Sequence, residues 1–440
     1  MNATPAGDRR PAGGDSGEPR GDRRELLVDE YDALLFDLDG VLYRATETVE
    51  GAPEAVARAR ERGASIAFVT NNSSRTPDQV AEKLRGHGID ARTEEVVTSA
   101  MALADLLRAD DELGGAGGRT AFVVGEEGIS EALREAGFEL VDEDAGRADV
   151  VAVGVDTHVT YARLRTAALL VQRGARLVAT NTDASYPAPD GLWPGAGAML
   201  AVITTTLGRD ADVVAGKPHA PLLRSALERS GGQRPLVVGD RLDTDIDGAA
   251  GVGWDSLMVL TGISQPRDLL EAPNLPTHLG ADLGALFRPA TTVRPATGAD
   301  AESVERLLRE SGLQTDGVAG RAPLTLVAER DDGGVVGTVA LEVFESAGDT
   351  IAHLRSLAVA EGQRGERTGV LLTAHAVHLA RTRGAIRVHA VTETAARFFD
   401  ALGFQRTGAR DSLPDPIRRT PMVRDFCAES SVAFVWAPPN

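Results

Sequence analysis

The stretch ALLFDLDGVLYR, residues 33–44, decides the fold of this chain. Its apolar run ends in Asp37 and Asp39, which are followed by Gly40. A short apolar run of this kind predicts a buried strand, and residues i and i+2 of a strand lie on the same side of the pleat. The two carboxylates are therefore predicted to point together from the end of a strand, where ligands bind in open α/β sheets.

Short apolar runs of the same kind recur along the chain and alternate with helical stretches. Strands that alternate with helices indicate a mostly parallel sheet that is covered by helices on both faces. The predicted fold class is therefore α/β, with a doubly wound parallel (Rossmann-like) sheet. The recurring runs are SIAFVTNN (65–72), TAFVVG (120–125), DVVAVGV (149–155), ARLVATN (175–181), PLVVGD (235–240) and SLMVLTG (256–262).

Polar side chains end other predicted strands as well. Thr70 and Asn71 end one apolar run, and Asp240 ends another. If Asp37, Asp39 and Asp240 converge, each carboxylate pair ~4 Å apart repels by about 4 kcal/mol at an effective dielectric constant of about 20. A hard divalent cation would relieve this repulsion, and Mg2+ prefers such oxygen ligands together with a phosphate oxygen.

Two carboxylates two residues apart suit a stepwise hydrolysis of a phosphate ester. One can attack phosphorus and form an aspartyl-phosphate, and the second can protonate the leaving oxygen and then take a proton from water. Lys217, in the segment Gly-Lys-Pro, suits the phosphate oxygens. Lys83 and Lys217 are the two lysines of the chain, so a lysine at a motif position is informative.

Four motifs occur in a fixed order, D-x-D-G-V-L-Y, T-N-N-S, G-K-P and G-D-R-L-D-T-D-I. In this order they resemble the haloacid dehalogenase superfamily, and within it the phosphatases with a type IIA cap. That group includes para-nitrophenyl, phosphoglycolate, glycerol-3-phosphate and sugar phosphatases. The resemblance covers about residues 30–265 and implies Mg2+-dependent hydrolysis of a small phosphate monoester.

The resemblance also implies a role for each motif residue. Asp37 corresponds to the nucleophile and Asp39 to the general acid and base. The resemblance further implies that Thr70, Asn71 and Lys217 bind the phosphoryl group. It implies that Asp37, Asp240 and the main-chain carbonyl of Asp39 bind the metal. Asp245 would contact these residues without binding the metal itself. A dehalogenase is the sibling alternative, but it has no use for a proton donor because halide leaves unprotonated.

Each motif taken singly also has a purely structural interpretation. Asp37 and Asp39 could cap a turn, Lys217 could be a surface lysine, and Asp243 and Asp247 could stabilise a helix N-terminus through its dipole. Their occurrence in order at predicted strand ends favours an enzyme. A non-enzymatic scaffold or phosphometabolite-binding protein is the alternative, and it would not need a nucleophile with an acid two residues on.

The insertion between the second and third motifs is long, since 146 residues lie between Thr70 and Lys217. This predicts an inserted α/β cap that closes over the site and restricts substrates to small molecules. The segment 181–199 resembles the specificity segment of such caps, and Asn181, Asp183 and Trp193 are its candidate substrate contacts. The leaving group stays open among glycerol phosphate, phosphoglycolate and sugar phosphates.

Residues about 291–410 resemble the Gcn5-related N-acetyltransferase fold. The segment that corresponds to the family's acetyl-CoA loop contains Arg364, Gly365 and Gly369. Arg367 replaces a glycine there, and Glu366 adds a negative charge, so both speak against binding the pyrophosphate of acetyl-CoA. Phe399 stands where that family often has a catalytic tyrosine.

The C-terminal part therefore leaves alternatives open. Acetyl-CoA-dependent N-acetyl transfer could be the main activity, the chain could be bifunctional, or this part could be a degenerate module used for regulation or stability. His375 and His378 lie one helical turn apart, which allows a metal pair but is more typical of surface or core histidines.

The sequence predicts the following division of the chain. The parts are a disordered tail (1–24), a phosphatase core (25–99 and 206–270), an inserted cap (100–205), a linker (271–290) and an α+β acetyltransferase-like domain (291–430).

Composition narrows the partners. The net charge of −19 argues against a nucleic acid or an anionic membrane as the main partner. The single Cys427, the absence of an apolar leader and the lack of a long apolar run predict a cytoplasmic protein. A homo-oligomer is left open.

Overall fold

The structure is a computed structural model, and it describes residues 26–110, 119–188, 190–315 and 324–438. The predicted disordered tail at residues 1–24 lies outside the described residues.

The strands are numbered in chain order. They are β1 (Ala33–Phe36), β2 (Tyr43–Arg44), β3 (Glu47–Thr48), β4 (Ser65–Thr70), β5 (Val96–Thr98), β6 (Arg119–Val124), β7 (Phe138–Leu140), β8 (Val150–Val153), β9 (Arg176–Ala179), β10 (Ser185–Ala188), β11 (Gly191–Pro194), β12 (Val213–Val214), β13 (Pro235–Gly239), β14 (Asp255–Val259), β15 (His278–Gly280), β16 (Thr291–Pro295), β17 (Thr325–Arg330), β18 (Val335–Ser346), β19 (Asp349–Val359), β20 (Arg387–Thr392), β21 (Gln405–Ala409) and β22 (Val432–Trp436).

The α-helices follow the same order. They are α1 (Ala52–Glu61), α2 (Pro77–Gly86), α3 (Ser99–Arg108), α4 (Glu127–Glu135), α5 (Tyr161–Gln172), α6 (Ala196–Leu207), α7 (Ala220–Ser230), α8 (Asp247–Val252), α9 (Ala301–Glu310), α10 (Thr368–Thr382), α11 (Ala396–Ala401), α12 (Asp415–Arg418) and α13 (Pro421–Phe426).

The N-terminal core is built on a parallel sheet with the strand order β15-β14-β13-β1-β4-β5. Phe36 of β1 packs with helices α1 and α2 on one face, and Leu35 packs with α3, α7 and α8 on the other. Helices therefore cover both faces, which confirms the predicted doubly wound α/β fold. Helix α2 begins at a capping box in which Thr76 and Gln79 exchange hydrogen bonds.

The cap is a second parallel sheet, with the order β12-β9-β8-β6-β7 and an added β10–β11 hairpin. Helix α3 packs against α7 of the core as well as α4 of the cap. Strand β12 pairs with β9, so the cap sheet extends beyond residue 205. We therefore propose that the cap runs from β6 to β12, which shifts both of its limits toward the C-terminus relative to 100–205.

The C-terminal domain has a mixed sheet with the order β16-β17-β18-β19-β20-β22-β21, and helix α10 packs on one face. Strands β17 and β18 form the hairpin that the segment 331–333 predicts. The adjacent strands β19 and β20 are parallel, and their pairing stops at Leu354 and Ala390. This arrangement confirms the predicted α+β acetyltransferase-like fold.

Candidate active site

Neighbouring parallel strands bring the motif residues to one edge of the core sheet. Strand β1 lies between β13 and β4. Asp37 directly follows β1, Thr70 is the last residue of β4, and Asp240 directly follows β13. Lys217 arrives from the cap in the loop ahead of α7. The structure thus brings together the four motifs that the sequence separates.

A carboxylate cluster lies at this edge. One carboxylate oxygen each from Asp37, Asp240 and Asp245 lies within 4.8 Å of the others. Lys217 Nζ donates to Asp37 Oδ1 at 2.5 Å and to Asp245 Oδ1 at 2.6 Å. One ammonium group therefore faces three carboxylates, and the remaining negative charge fits a hard divalent cation. Asp37 and Asp240 are two of the predicted metal ligands, and the third carboxylate of the cluster is Asp245 instead of a group of Asp39.

Asp240 is held so that one of its oxygens stays free. The main-chain N–H of Ile263 donates to Asp240 Oδ2 at 2.6 Å, while Oδ1 is buried and has no hydrogen-bond partner among the described residues. A Cβ atom at Gly40 or Gly262 would lie 2.4 Å or 1.9 Å from Oδ2. Glycine at both positions lets the backbone approach this carboxylate. A buried, unpartnered carboxylate oxygen is the donor that a metal ion would use.

The pKa shifts within the cluster also favour a bound cation. Burial, together with the neighbouring carboxylates, raises the pKa of Asp37 well above its usual range against the opposing effect of Lys217. Burial and then Asp245 raise the pKa of Asp240 to about 7. Burial would lower the pKa of Lys217, but Asp245 and Asp37 raise it above its usual value. Lys217 thus stays charged beside carboxylates that need a further cation to ionise fully.

Asn71 ties the cap to the core at this site. Its side-chain oxygen accepts from Lys217 N at 2.8 Å, and its Nδ2 donates to Lys217 O at 3.0 Å. Nδ2 also donates to Asp183 Oδ2 at 3.1 Å, and Asn181 donates to Asn71 O at 2.7 Å. Asn181 and Asp183, which the sequence proposes as substrate contacts, therefore help to fix the loop that carries Lys217.

A cavity of about 540 Å³ opens over the cluster between core and cap. This volume is typical of a small-molecule site. The residues predicted for catalysis and phosphoryl binding all line it: Asp37, Asp39, Thr70, Asn71 and Lys217. Trp193 is absent from the lining, because it lies on the β10–β11 hairpin and donates to Asp190 Oδ1 at 2.7 Å.

The cavity is also lined by a residue outside the four motifs, Lys83. Lys83 of α2 lies with its Nζ 3.6 Å from the ring centroid of Tyr43, and His87 stacks on the same ring. Partial burial raises the pKa of Asp39 and lowers that of Lys83, and each group's charge opposes the shift of the other. Both lysines of the chain therefore line one cavity. The rarity of lysine was the signal that could have identified Lys83.

In the loop that corresponds to the acetyl-CoA loop, charged side chains contact other parts of the chain. Gly365 has φ +88°, and Arg367 adopts the left-handed conformation at φ +64°, directly ahead of α10. Arg364 Nε donates to Val359 O at 3.3 Å. Glu366 forms an ion pair with Arg288 from the segment that joins the domains. Part of this loop is thus held by the N-terminal half of the chain.

Comparison with protein-family models gives three matches. Residues 34–139 match the haloacid dehalogenase-like hydrolase model, and residues 214–286 match a second hydrolase model of that superfamily. Residues 322–406 match the acetyltransferase (GNAT) domain.

Individual relatives agree with these matches. The acid sugar phosphatase of Staphylococcus aureus is 39% identical over 243 residues, which is 55% of this chain and 91% of that protein. A 5'-nucleotidase of Bacillus subtilis is 38% identical over 54% of this chain and 90% of its own length.

A solved structure resembles more of the chain. The magnesium complex of a glycerol phosphate phosphatase from Mycobacterium tuberculosis superposes with a TM-score of 0.66 at 31% identity, and it covers 86% of this chain and 98% of its own. The fold and these relatives define a phosphatase of the haloacid dehalogenase type, with a carboxylate cluster at the strand ends of its core sheet. The chain belongs to the haloacid dehalogenase-like hydrolase family, with a GNAT-type domain at its C-terminal end.

The helices can be compared with the length and apolarity that a membrane-spanning helix needs. Within the described ranges, none of them is both long and apolar enough to cross a bilayer.

Proposed function

We propose that the chain hydrolyses a small phosphate monoester in a Mg2+-dependent reaction that passes through an aspartyl-phosphate on Asp37. The observation that carries this proposal is the contact of Lys217 with Asp37 and Asp245 beside the unpartnered oxygen of Asp240. Such a group can bind a metal and a phosphoryl oxygen together, and Asp37 offers a carboxylate to phosphorus.

The metal would be held by Asp37, Asp240 and the main-chain carbonyl of Asp39. When bound, Mg2+ would neutralise charge on the transferring phosphoryl group. Asp245 would hold Lys217 in place, since the two side chains are joined at 2.6 Å. Lys217, Thr70 and Asn71 would position the phosphoryl oxygens for in-line attack.

The reaction takes place in two displacements. An oxygen of Asp37 attacks phosphorus, the bond from phosphorus to the leaving oxygen breaks, and Asp39 gives that oxygen a proton. In the second step Asp39, now a carboxylate, takes a proton from water as the water oxygen attacks phosphorus. The bond between Asp37 and phosphorus breaks, and inorganic phosphate leaves. Asp39 suits both steps because it faces the cavity next to Asp37.

The leaving group is proposed to be a small polar alcohol. The cavity combines charged groups of both signs with hydroxyls: its lining includes the cations of Lys83, Arg44, Arg75 and Arg241, the acidic Asp39 and Glu126, and the hydroxyls of Thr157 and Tyr186. Hydroxyl groups both donate and accept, so a polyol can use this mixture. The named relatives include an acid sugar phosphatase and a glycerol phosphate phosphatase, and glycerol phosphate and sugar phosphates are therefore preferred over phosphoglycolate.

The test is phosphate release by the purified full chain over a panel of glycerol phosphate, sugar phosphates, phosphoglycolate and a nucleoside monophosphate, with and without Mg2+. Asp37→Asn should abolish release. Asp243→Asn is the matched control, because Asp243 is an exposed carboxylate of the same segment that pairs with Arg241. Release that persists in Asp37→Asn, or that is independent of divalent cations, would refute the proposal.

A second candidate is acetyl-CoA-dependent N-acetyl transfer, which is favoured by the match to the GNAT domain. The ion pair between Arg288 and Glu366 and the side chain of Arg367 count against it. Calorimetric titration of the full chain with acetyl-CoA tests it, and saturable binding would support this activity. The cytoplasmic location stays a prediction.

A further inference from the structure

The two halves of the chain share one apolar core. Leu242, Ile246 and Met258 of the phosphatase core belong to the same contiguous buried cluster as Leu371 and Val377 of helix α10. Helix α10 also packs against the short helical turn at Asp268–Leu270. The acetyltransferase-like domain is therefore continuous with the interior of the phosphatase core.

The turn that α10 contacts leads directly to the proposed metal ligand Asp240. Arg381 of α10 donates to the main-chain oxygen of Leu270 at 3.2 Å. A few residues earlier in the same segment, Ile263 N donates to Asp240 Oδ2 at 2.6 Å, and Ser264 N donates to Asp240 O at 3.2 Å. A short stretch of backbone therefore joins α10 to the groups that orient Asp240.

A second connection reaches Asp245. The helical turn Leu242–Ile246 carries this carboxylate, and the side chains at both ends of the turn are buried in the shared cluster. Ser264 Oγ accepts from Leu242 N at 3.1 Å, which ties the turn to the segment that follows Gly262. The two segments that hold Asp240 and Asp245 thus pack under the C-terminal domain and also bind each other.

We infer that the acetyltransferase-like domain positions the metal-binding segments of the phosphatase, with Arg381 and Leu270 as positioning residues. Loops that lack packing sample many conformations, and ordering them on binding costs affinity. Packing against α10 orders these segments in advance. The C-terminal domain thus raises metal affinity even though Glu366 of its own acetyl-CoA-like loop is paired with Arg288.

This inference rests on the proposed function, because it takes Asp240 as a metal ligand. The test is the Mg2+ dissociation constant of the folded full chain by calorimetry, which needs no turnover. Arg381→Met should raise it about three- to tenfold, in line with the net contribution of one hydrogen bond. Leu270→Ala should raise it further. Arg383→Met is the matched control, because the described part of the chain shows no side-chain hydrogen bond or ion pair for Arg383.

Hydrogen exchange supplies a readout that a merely structural role would not move. Coupling is reciprocal, so Mg2+ should slow exchange in residues 262–270 and in the C-terminal half of α10, and Arg381→Met should weaken this effect. Unchanged Mg2+ affinity in folded Arg381→Met and Leu270→Ala would overturn the inference alone. A wild-type chain that binds Mg2+ but hydrolyses no ester would refute the proposed function alone, and one that binds no Mg2+ would refute both.

Discussion

The chain contains two loops that correspond to phosphate-binding loops of the families it matches, and their charged side chains have different partners. In the core, Lys217 and Asp37 face an open cavity, and a buried oxygen of Asp240 behind them has no hydrogen-bond partner among the described residues. In the C-terminal domain, Glu366 is paired with Arg288 and Arg367 occupies the turn ahead of α10. The acetyltransferase-like fold is therefore retained, while a loop that binds a ligand in that family here contacts the N-terminal half of the chain through Glu366.

Lys217 gives the largest expected effect, and the contrast with Lys83 sharpens the comparison within one cavity. Lys217→Met leaves Asp37 and Asp245 without their cation, and removing one partner of a buried charge cluster costs about 3–5 kcal/mol. We expect phosphate release to fall by about a thousandfold or more. Steady-state kinetics of the purified variant measure it. Activity within tenfold of the wild type would contradict the role proposed for Lys217 in the core site.

The buried histidines of the C-terminal domain give the next effect. His353 and His389 have no hydrogen-bond partner on either ring nitrogen among the described residues. Burial lowers the pKa of His353 to about 3 and that of His389 to about 4. Below pH ~6.5 the unfolded chain binds protons that the folded domain does not. The free energy of unfolding therefore decreases as the pH is lowered from ~6.5 to the folded pKa. Each histidine should lower the free energy of unfolding by about 1.4 kcal/mol for each unit by which the pH falls over this range.

Native-state hydrogen exchange of β19 and β20 between pH 7 and pH 5 measures this loss. His353→Gln should reduce the slope, whereas the exposed His158→Gln in the cap should not. If the opening free energy of these strands is flat across that range, the histidines do not titrate on unfolding as described.

Lys83→Met is expected to have a smaller effect than Lys217→Met, because we propose that Lys83 binds the leaving group and not the phosphoryl group. Loss of one charge-assisted hydrogen bond corresponds to about a tenfold rise in KM, with kcat changed little. Lys83→Arg should restore most of the affinity. A collapse of kcat in Lys83→Met would instead place this residue in the chemical step.

The sequence predicted the strand-end motifs because each motif is local, and a parallel sheet then brings strand ends together without further information. It did not predict Lys83, which reaches the cavity from the side of a helix that carries no motif. It also could not pair Arg288 with Glu366, since their contact depends on how two domains dock. Leu242 and Ile246 were interpreted as part of a metal motif, whereas their side chains also belong to the core shared with α10.

The most direct test of the central claim is to trap the covalent intermediate. The full chain is mixed with Mg2+ and the best ester of the panel, quenched in acid and digested, and its peptides are analysed by mass spectrometry. We expect one added phosphoryl group on the peptide that contains Asp37, and none in Asp37→Asn. Turnover with no phosphorylated peptide, or with the phosphoryl group on another residue, would contradict it.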